Sequence, residues 1–311
     1  MDILAENILK SVSYADIFDF PLTAEEITRY LISSTKFNRQ EVEFTAGSLY
    51  PGLLGIHKGY FFLKNRKLII SGRLRRQEFS QRKLALGRKL ACLLRIVPWI
   101  QAVLLTGNVA WKNADSGDDI DWLIITDKNR LWLSRLFAVL ILQLLGIRRR
   151  PEDKEVNNKI CLNLFLTKDN LVVPESKQDL FTAHEILQAK PLWQRQQVYL
   201  DFIRVNAWAQ KYLANAYSNI VCRQSRSSLK SRNSLCFKVS GEFFRPLSKI
   251  GGWLLDYAEQ IVFNWQKKYM SGRRTIETVE VSRAFFHPAN IRNWVMAEYR
   301  KRLITLKLVR V

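Results

Sequence analysis

Apolar residues recur at helical spacing in three segments near the start of the chain: LAENILKSVSYA, FPLTAEEITRYLI and NRQEVEFTAGSL. In the second segment, Thr23 and Glu26 have the spacing of a capping box, which favours the start of a helix there. Two apolar stretches then flank Lys58 and Gly59 in GIHKGYFFLKNRKLII, a pattern typical of a β-hairpin. We therefore predict three short helices followed by a hairpin over residues 1–70.

A long basic helix is predicted to follow, over residues 71–98. The stretch from 71 to 100 holds eight Lys or Arg side chains and one acid, Glu78, while leucines supply an apolar side. Pro98 ends the helix, because proline has no backbone N–H to donate. Such a helix is typical either of a nucleic-acid-binding groove or of an ordinary solvated face, and the pattern does not separate the two.

Continuous apolar runs predict three buried strands in the middle of the chain: WIQAVLLT, DIDWLIIT and KICLNLFLT. A helix over residues 130–147 separates the second strand from the third. From about residue 178 onward the pattern is helical, and it includes the amphipathic segments GGWLLDYAEQIVFNWQKKYM and IRNWVMAEYRKRLITL. The polar stretch at 223–235 predicts a linker or an exposed loop.

These elements predict an α+β protein organised in four parts. Three helices and a hairpin, in that order, are typical of a winged helix, so residues 1–70 are expected to form a winged-helix-like segment. Residues 71–98 form the connecting helix, and residues 99–175 form a small core built on a mixed sheet. Residues 176–311 are expected to form a helical C-terminal region.

The charge balance favours a polyanionic partner. Lys and Arg number 49 against 28 Asp and Glu in 311 residues, which gives a formal net charge of +21. This surplus favours nucleic acid, nucleotide phosphates or an acidic membrane surface. A basic solvated surface with no such partner is the alternative. Apolar residues make up 48% of the chain, which is sufficient for a sizeable core.

Cysteine and histidine are too few and too scattered for a structural zinc site or a disulfide scaffold. The chain has four cysteines, none in a C-x-x-C pair, and three histidines. We therefore expect a cytoplasmic protein in a reducing compartment. The most apolar run, at 131–147, is interrupted by Ser134 and Arg135, and its uninterrupted part is too short to cross a bilayer. Stable membrane insertion is not expected.

The clearest chemical pattern lies in LLTGNVAWKNADSGDDIDWLIIT, residues 104–126. Gly107 and Asn108 form a turn after one predicted strand, and Asp119 and Asp121 open the next. Residues at i and i+2 of a strand project on the same face, so the two carboxylates repel each other unless a divalent cation lies between them. A glycine turn lets backbone N–H groups approach a phosphate closely. The pattern predicts a nucleotide-phosphate site; two solvated carboxylates after a loop are the alternative.

With these residues the chain resembles the nucleotidyltransferase superfamily that includes DNA polymerase beta and small antibiotic-modifying enzymes. The resemblance covers roughly residues 100–168, where LLTGN, a spacer and DDIDWLIIT follow the family signature. More loosely, SYADIFDFPLTAEEI, GYFFLKNR and AFFHP are similar to uncharacterised bacterial proteins that join a winged-helix-like segment to such a domain.

The resemblance implies a role for each matching residue. Gly107 would shape the phosphate-binding turn, and Asp119 and Asp121 would bind Mg²⁺ or Mn²⁺ carrying a nucleoside triphosphate. The implied reaction moves a nucleoside monophosphate to an acceptor hydroxyl or phosphate and releases pyrophosphate. Residues 99–175 would then be a nucleotidyltransferase core.

Two residues depart from the family signature. Asn108 stands where the family has serine, and its amide can still donate to a phosphate oxygen. Asn163 occupies the inward position of KICLNLFLT, where the family has a third carboxylate that binds a second metal ion or acts as general base. An amide carries no charge and is a poor base. Asp115, Asp118 and Glu155 are the alternative sources of that carboxylate.

Two functions of different classes stay open. The first is a magnesium-dependent nucleotidyltransferase, which Asp119 and Asp121 favour. The second is a catalytically degenerate member of the same fold that binds nucleic acid or senses nucleotides, which the charge, the winged-helix order and Asn163 favour. The sequence does not specify the nucleotide, the acceptor or the oligomeric state.

Overall fold

A computed structural model describes residues 1–227, 252–271, 278–285 and 291–309 of the chain. In that part of the chain, eleven α-helices and nine strands build a mixed α+β structure with two sheets, and the predicted α+β class is confirmed. The smaller sheet belongs to the N-terminal residues, and the larger sheet carries the predicted strands of the middle of the chain.

The N-terminal helices share a hydrophobic core with a small antiparallel sheet. The predicted capping box is present, since Thr23 and Glu26 each accept a hydrogen bond from the backbone N–H of the other. Lys58 and Gly59 both have positive φ in the predicted hairpin, as tight two-residue turns require. The elements are α1 (Ile3–Asp16), β1 (Leu22–Thr23), α2 (Ala24–Arg29), α3 (Arg39–Ser48), β2 (Leu54–His57) and β3 (Tyr60–Leu63), with sheet order β1-β3-β2.

The predicted long helix is α4 (Ile69–Leu93), and a short 3-10 turn follows it before Pro98. Gly87 of this helix faces the larger sheet, and a Cβ there would lie in van der Waals contact with the side chain of Ile120, at 3.4 Å. Two of its basic residues, Arg73 and Lys83, point inward and are only 2% exposed. The helix is therefore not a uniformly basic surface, because two of its positively charged side chains are buried.

The larger sheet has the strand order β7-β4-β5-β6-β9-β8. Only β5 and β6 run parallel, and α6 crosses between them; the other neighbours are antiparallel. The strands are β4 (Ile100–Leu105), β5 (Ile120–Thr126), β6 (Ile160–Thr167), β7 (Lys190–Gln194), β8 (Thr278–Val279) and β9 (Arg283–Phe285), and α6 is Leu131–Leu144. The three strands predicted from apolar runs, β4, β5 and β6, lie together at the centre of this sheet.

Helices cover both faces of the larger sheet. One face packs against α4, α6 and α10, with Trp122, Trp132 and Phe263 in the shared core. The other face packs against α7, α8 and α9, which surround Leu104 and Leu123. The remaining helices are α5 (Gly107–Trp111), α7 (Leu180–Gln188), α8 (Val198–Val205), α9 (Ala214–Ser227), α10 (Gly252–Ser271) and α11 (Ile291–Thr305).

The region after residue 178 is not purely helical as predicted, because β7, β8 and β9 join the larger sheet. These strands are five residues or fewer, too short to show an alternating pattern. Pro191 lies in β7, which is tolerated because β7 is an edge strand.

The predicted linker at 223–235 begins inside α9, and its residues from 228 onward lie outside the described part. No helix in the described ranges has both the length and the apolarity to cross a bilayer.

Candidate metal site

Asp119 and Asp121 stand at the start of β5, next to the parallel strand β6. Asp121 is in register with Cys161 of β6. One ligand atom from each of Asp119, Asp121 and Cys161 lies within 4.8 Å of the other two. Among the described residues this is the one group of three that has metal-binding chemistry. The i, i+2 spacing therefore does bring the two carboxylates together, as expected.

Gly107 closes the site from the neighbouring strand. The residue follows β4 with φ of +63°, and a Cβ built on it would lie 2.5 Å from Oδ2 of Asp121. A side chain here would be strained by the positive φ and would overlap the carboxylate of Asp121, so glycine is required at this position. The backbone N–H of Thr106 donates to the carbonyl of Asp121 at 3.0 Å, which fixes the turn against β5.

Asn108 lies beside this turn but is directed elsewhere. Its Nδ2 donates to Oδ2 of Asp118 at 3.0 Å, and the same oxygen accepts from the backbone N–H of Asp115 at 3.2 Å. The asparagine therefore organises the loop that leads into β5. Its expected contact with a phosphate stays a prediction.

Burial and neighbouring charges determine the electrostatics of the two carboxylates. Burial, and then the charge of Asp119, raises the pKa of Asp121 to about 7. Arg149 donates to Oδ2 of Asp119 at 2.6 Å, and its side chain is 40% exposed. Arg149 was not predicted as a site residue, although it belongs to a run of three arginines in the segment between α6 and β6. One carboxylate thus already has a cationic partner, while burial beside that carboxylate disfavours the ionised form of Asp121.

An amide and a thiol from β6, those of Asn163 and Cys161, lie beside the carboxylate of Asp121. Asn163 is buried, and its Nδ2 donates to Oδ1 of Asp121 at 3.4 Å. The register of β5 and β6 shifts at this point, so that Asn163 is the extra residue of a bulge, while Cys161 pairs with Asp121. Burial, and then the charges of Asp121 and Asp119, raises the pKa of the Cys161 thiol. Asn163 was predicted as a site residue, whereas the Cys161 thiol was not.

None of the alternative carboxylates considered from the sequence completes the site. In the described ranges, Asp115, Asp118 and Glu155 are not part of the metal-binding group. Asp118 accepts hydrogen bonds within its own loop, and Asp115 lies 3.9 Å from Arg75. Glu155 is exposed in the loop before β6. None of the three therefore joins the group formed by Asp119, Asp121 and Cys161.

Lys83 of α4 donates hydrogen bonds to the loop before β5 and to the loop before β6. Its Nζ donates to the carbonyls of Ser116 and Asp118, at 2.9 and 2.7 Å. It also donates to the side-chain oxygens of Asn157 and Asn158, at 3.0 and 3.2 Å. Burial lowers the pKa of this lysine. The lysine thereby fixes the loop before β5 relative to the loop before β6, a role that its place in a basic helix did not reveal.

A cavity of about 160 Å³ opens in front of Gly107 and Asp121. The cavity is also lined by residues from α1 and the turn after it, from α7 and from α11: Tyr14, Phe18, Phe181, Glu185 and Ile291. Burial raises the pKa of Glu185 to about 7, and its charge in turn raises the pKa of Asp121. A further carboxylate therefore faces the site from a distant helix, and sequence spacing does not show it.

The structure thus groups Gly107, Asp119, Asp121 and Asn163 at one end of β5, with Asn108 at the edge. The group offers carboxylate oxygens and one thiol, with a partly exposed arginine paired to Asp119 and a small cavity beside Asp121. Comparison of the chain with protein-family models, with curated proteins and with solved structures finds no match. The function therefore has to be inferred from the site itself.

Proposed function

We propose that this chain is a metal-dependent nucleotidyltransferase of the DNA polymerase beta type. The observation that carries the proposal is the convergence of Asp119 and Asp121 beside the glycine turn at Gly107. Two carboxylates in this geometry match the preference of Mg²⁺ and Mn²⁺ for oxygen ligands with other positions left for water and phosphates. We also propose a winged-helix-like fold for residues 1–70 and a nucleotidyltransferase core for residues 99–175, in keeping with the α+β order of elements.

The residues present fit a divalent cation. Ionised Asp121 is disfavoured by burial and by Asp119, so a bound cation relieves an unfavourable interaction. The protonated Cys161 leaves the two carboxylates as the charged ligands. Asp119 and Asp121 would hold a divalent cation, which would supply charge stabilisation for the transferred nucleotidyl group. Arg149 is partly exposed, so that it can turn from Asp119 to a phosphate oxygen.

Glu185 is our proposal for the missing third carboxylate. It lines the same cavity as Asp121, and its pKa of about 7 suits a general base at neutral pH. In the proposed reaction an acceptor hydroxyl attacks the α-phosphorus, the α–β phosphoanhydride bond breaks and pyrophosphate leaves. Glu185 takes the hydroxyl proton. Asn163, which has no charge, holds the orientation of the Asp121 carboxylate instead.

Nucleotide binding provides the test. We would measure the melting temperature with each of the four nucleoside triphosphates, with Mg²⁺ and with EDTA, for the wild type and for Asp119→Asn/Asp121→Asn. We expect stabilisation of the wild type only with Mg²⁺, and none of the double variant. Asp115→Asn is the matched control, since Asp115 belongs to the same loop but not to the metal-binding group. Equal stabilisation of the double variant would exclude the metal–triphosphate site.

The alternative is a catalytically degenerate protein of this fold that binds nucleic acid or senses nucleotides. Asn163 at the third position and the net charge of +21 favour it. Binding to duplex DNA that weakens steeply with salt, combined with no nucleotidyl transfer, is the result that this alternative predicts. Absence of DNA binding at low salt would remove the nucleic-acid form of the alternative. The cytoplasmic location expected from the cysteine content stays a prediction.

A further inference from the structure

Helix α10 carries a row of large apolar side chains that project into solvent. The row has one member every four residues, so it forms an i, i+4 ridge about 24 Å long. Its members are between 51% and 72% exposed, and they are Trp253, Tyr257, Ile261, Trp265 and Tyr269. We call this row the aromatic ridge. Contiguous exposed apolar patches mark surfaces that contact other molecules.

The opposite side of α10 is bound to the start of α6. The buried carboxylate of Glu259 accepts hydrogen bonds from the backbone N–H groups of Trp132 and Leu133, at 2.7 and 2.9 Å. Gln266 is also buried, and its Nε2 donates to the carbonyl of Trp132 at 3.0 Å. A rotation of α10 that buried the aromatic ridge would break these hydrogen bonds. The outward direction of the ridge is therefore fixed by the contacts on the other side of the helix.

The aromatic ridge is large enough for an interface between two proteins. An aromatic side chain presents roughly 150–250 Å², and the four in the ridge are each more than half exposed. Covering them in two copies of the chain removes about 1,000 Å² from water, which is the lower bound for a specific interface. The buried centres of such interfaces are enriched in Trp and Tyr, as this ridge is.

The order of side chains along the ridge is nearly symmetric about Ile261. Four residues away on either side are Tyr257 and Trp265, and eight residues away are Trp253 and Tyr269. A two-fold axis beside Ile261 sets two copies of α10 antiparallel and brings the ridges of both copies together. Such an interface is isologous, because each copy offers the same surface to the other.

The charges of α10 suit an antiparallel copy better than an anionic lipid surface. Residues 252–261 contain no Lys or Arg, and their exposed acid is Asp256, which is 55% exposed beside Arg130. The second half of the helix carries Lys267 and Lys268 and no acid. In an antiparallel pair, Asp256 of each copy lies at the same end as the two lysines of the other. A helix that lies on anionic lipid instead carries Lys and Arg along its polar face.

We propose that the aromatic ridge is the contact surface of a homodimer. In this dimer α10 packs antiparallel against α10 of a second copy of the chain, about a two-fold axis beside Ile261. None of the ridge residues belongs to the metal-binding group, so the proposal does not depend on the proposed function.

Sedimentation velocity of the full chain from about 1 to about 100 µM tests the proposal, since an interface of this size predicts a micromolar dissociation constant. Ile261→Glu places two like charges at the axis, so we expect at least tenfold weaker dimerisation. Its melting temperature should equal that of the wild type where both are monomers, because Ile261 is 51% exposed. Phe44→Glu is the matched control: Phe44 is 82% exposed outside the ridge, and its variant should dimerise as the wild type does.

Disulfide cross-linking tests the antiparallel arrangement. In the proposed dimer, Tyr257 of one copy lies near Trp265 of the other. A mixture of Tyr257→Cys and Trp265→Cys should therefore form a mixed disulfide faster than either variant forms one with itself. The wild type, which has four cysteines of its own, measures the background.

Three results would overturn the proposal: a wild type that stays monomeric at about 100 µM, an Ile261→Glu variant that dimerises like the wild type, or cysteine variants that cross-link no better in the mixture. Phosphatidylserine vesicles distinguish a lipid partner from a second copy. A wild type that forms no dimer but sediments with these vesicles, and loses this binding in Ile261→Glu, would assign the ridge to a lipid surface instead.

Discussion

At the scale of single residues, the site depends on a close approach that only one residue type permits. Gly107 places the backbone of the β4 turn against the carboxylate of Asp121. The same approach buries that carboxylate next to Asp119 and raises its pKa. The same burial makes the ionised form of Asp121 unfavourable in the folded protein.

The first prediction concerns this glycine. Gly107→Ala places a methyl group 2.5 Å from Oδ2 of Asp121 in a backbone with φ of +63°. We expect a loss of about 2 kcal/mol or more in the free energy of unfolding, and loss of magnesium-dependent nucleotide binding. Chemical denaturation and thermal shift measure the two effects. Gly117→Ala is the control, because nothing lies within 4 Å of its Cβ position; equal effects of the two substitutions would disprove the argument.

The second prediction concerns pH. The pKa of Asp121 rises from 3.8 in the unfolded chain to about 7 in the folded, metal-free protein. Between these values the folded state keeps a proton that the unfolded state has lost, so this residue makes stability fall as pH rises from about 4 to about 7. Below that window the residue has no effect, and above it the loss is complete.

Asp121→Asn removes this titration. The variant should therefore be more stable than the wild type at pH 8 in EDTA, and the difference should disappear towards pH 4. Denaturation curves across this pH range provide the measurement. A variant that is less stable at pH 8, or a difference that does not change with pH, would contradict the electrostatic account of the site.

At the scale of secondary-structure elements, the site is held by contacts between segments far apart in the chain. Lys83 of α4 donates hydrogen bonds to four acceptors in the loops before β5 and β6. Glu185 reaches the site from α7, and Arg149 from the segment between α6 and β6. The orientation of Asp119 and Asp121 therefore depends on packing as much as on their own strand.

The third prediction concerns Lys83. Lys83→Met leaves the carbonyls of Ser116 and Asp118 without their donor, so we expect a loss of about 2 kcal/mol or more in unfolding free energy. Weaker binding of the magnesium–triphosphate complex should accompany it, since the loop before β5 is released. Lys89→Met, on the exposed side of the same helix, is the control and should change neither quantity. Wild-type nucleotide affinity in Lys83→Met would show that the loops do not need this lysine.

The same elements show what could be predicted from the sequence. β4, β5, β6, α4 and α6 were predictable because their apolar patterns are long. Asp119 and Asp121 were predictable because i, i+2 spacing on a strand alone sets their common face. Cys161 and Glu185 were not, since their positions follow from the register of β5 and β6 and from the packing of α7. β7, β8 and β9 were missed because such short strands have no distinctive pattern.

At the scale of the whole molecule, the N-terminal helices contribute to the surroundings of the candidate site. Tyr14 of α1 lines the cavity in front of Gly107 and Asp121. The net charge of +21 includes basic side chains that are buried rather than exposed at the surface. Arg73 is buried in an ion pair with Glu26, and Lys83 is buried among loop oxygens. The total charge therefore overstates the basic surface available to a polyanion.

The central claim is that Asp119 and Asp121 form a metal site, and direct binding of Mn²⁺ tests it without any assumption about the acceptor. Electron paramagnetic resonance of free Mn²⁺, titrated with protein in the absence of nucleotide, counts the ions bound. We predict saturable binding by the wild type and by Asp115→Asn, and its loss in Asp119→Asn/Asp121→Asn. Equal binding by the double variant, or none by the wild type, would contradict the account.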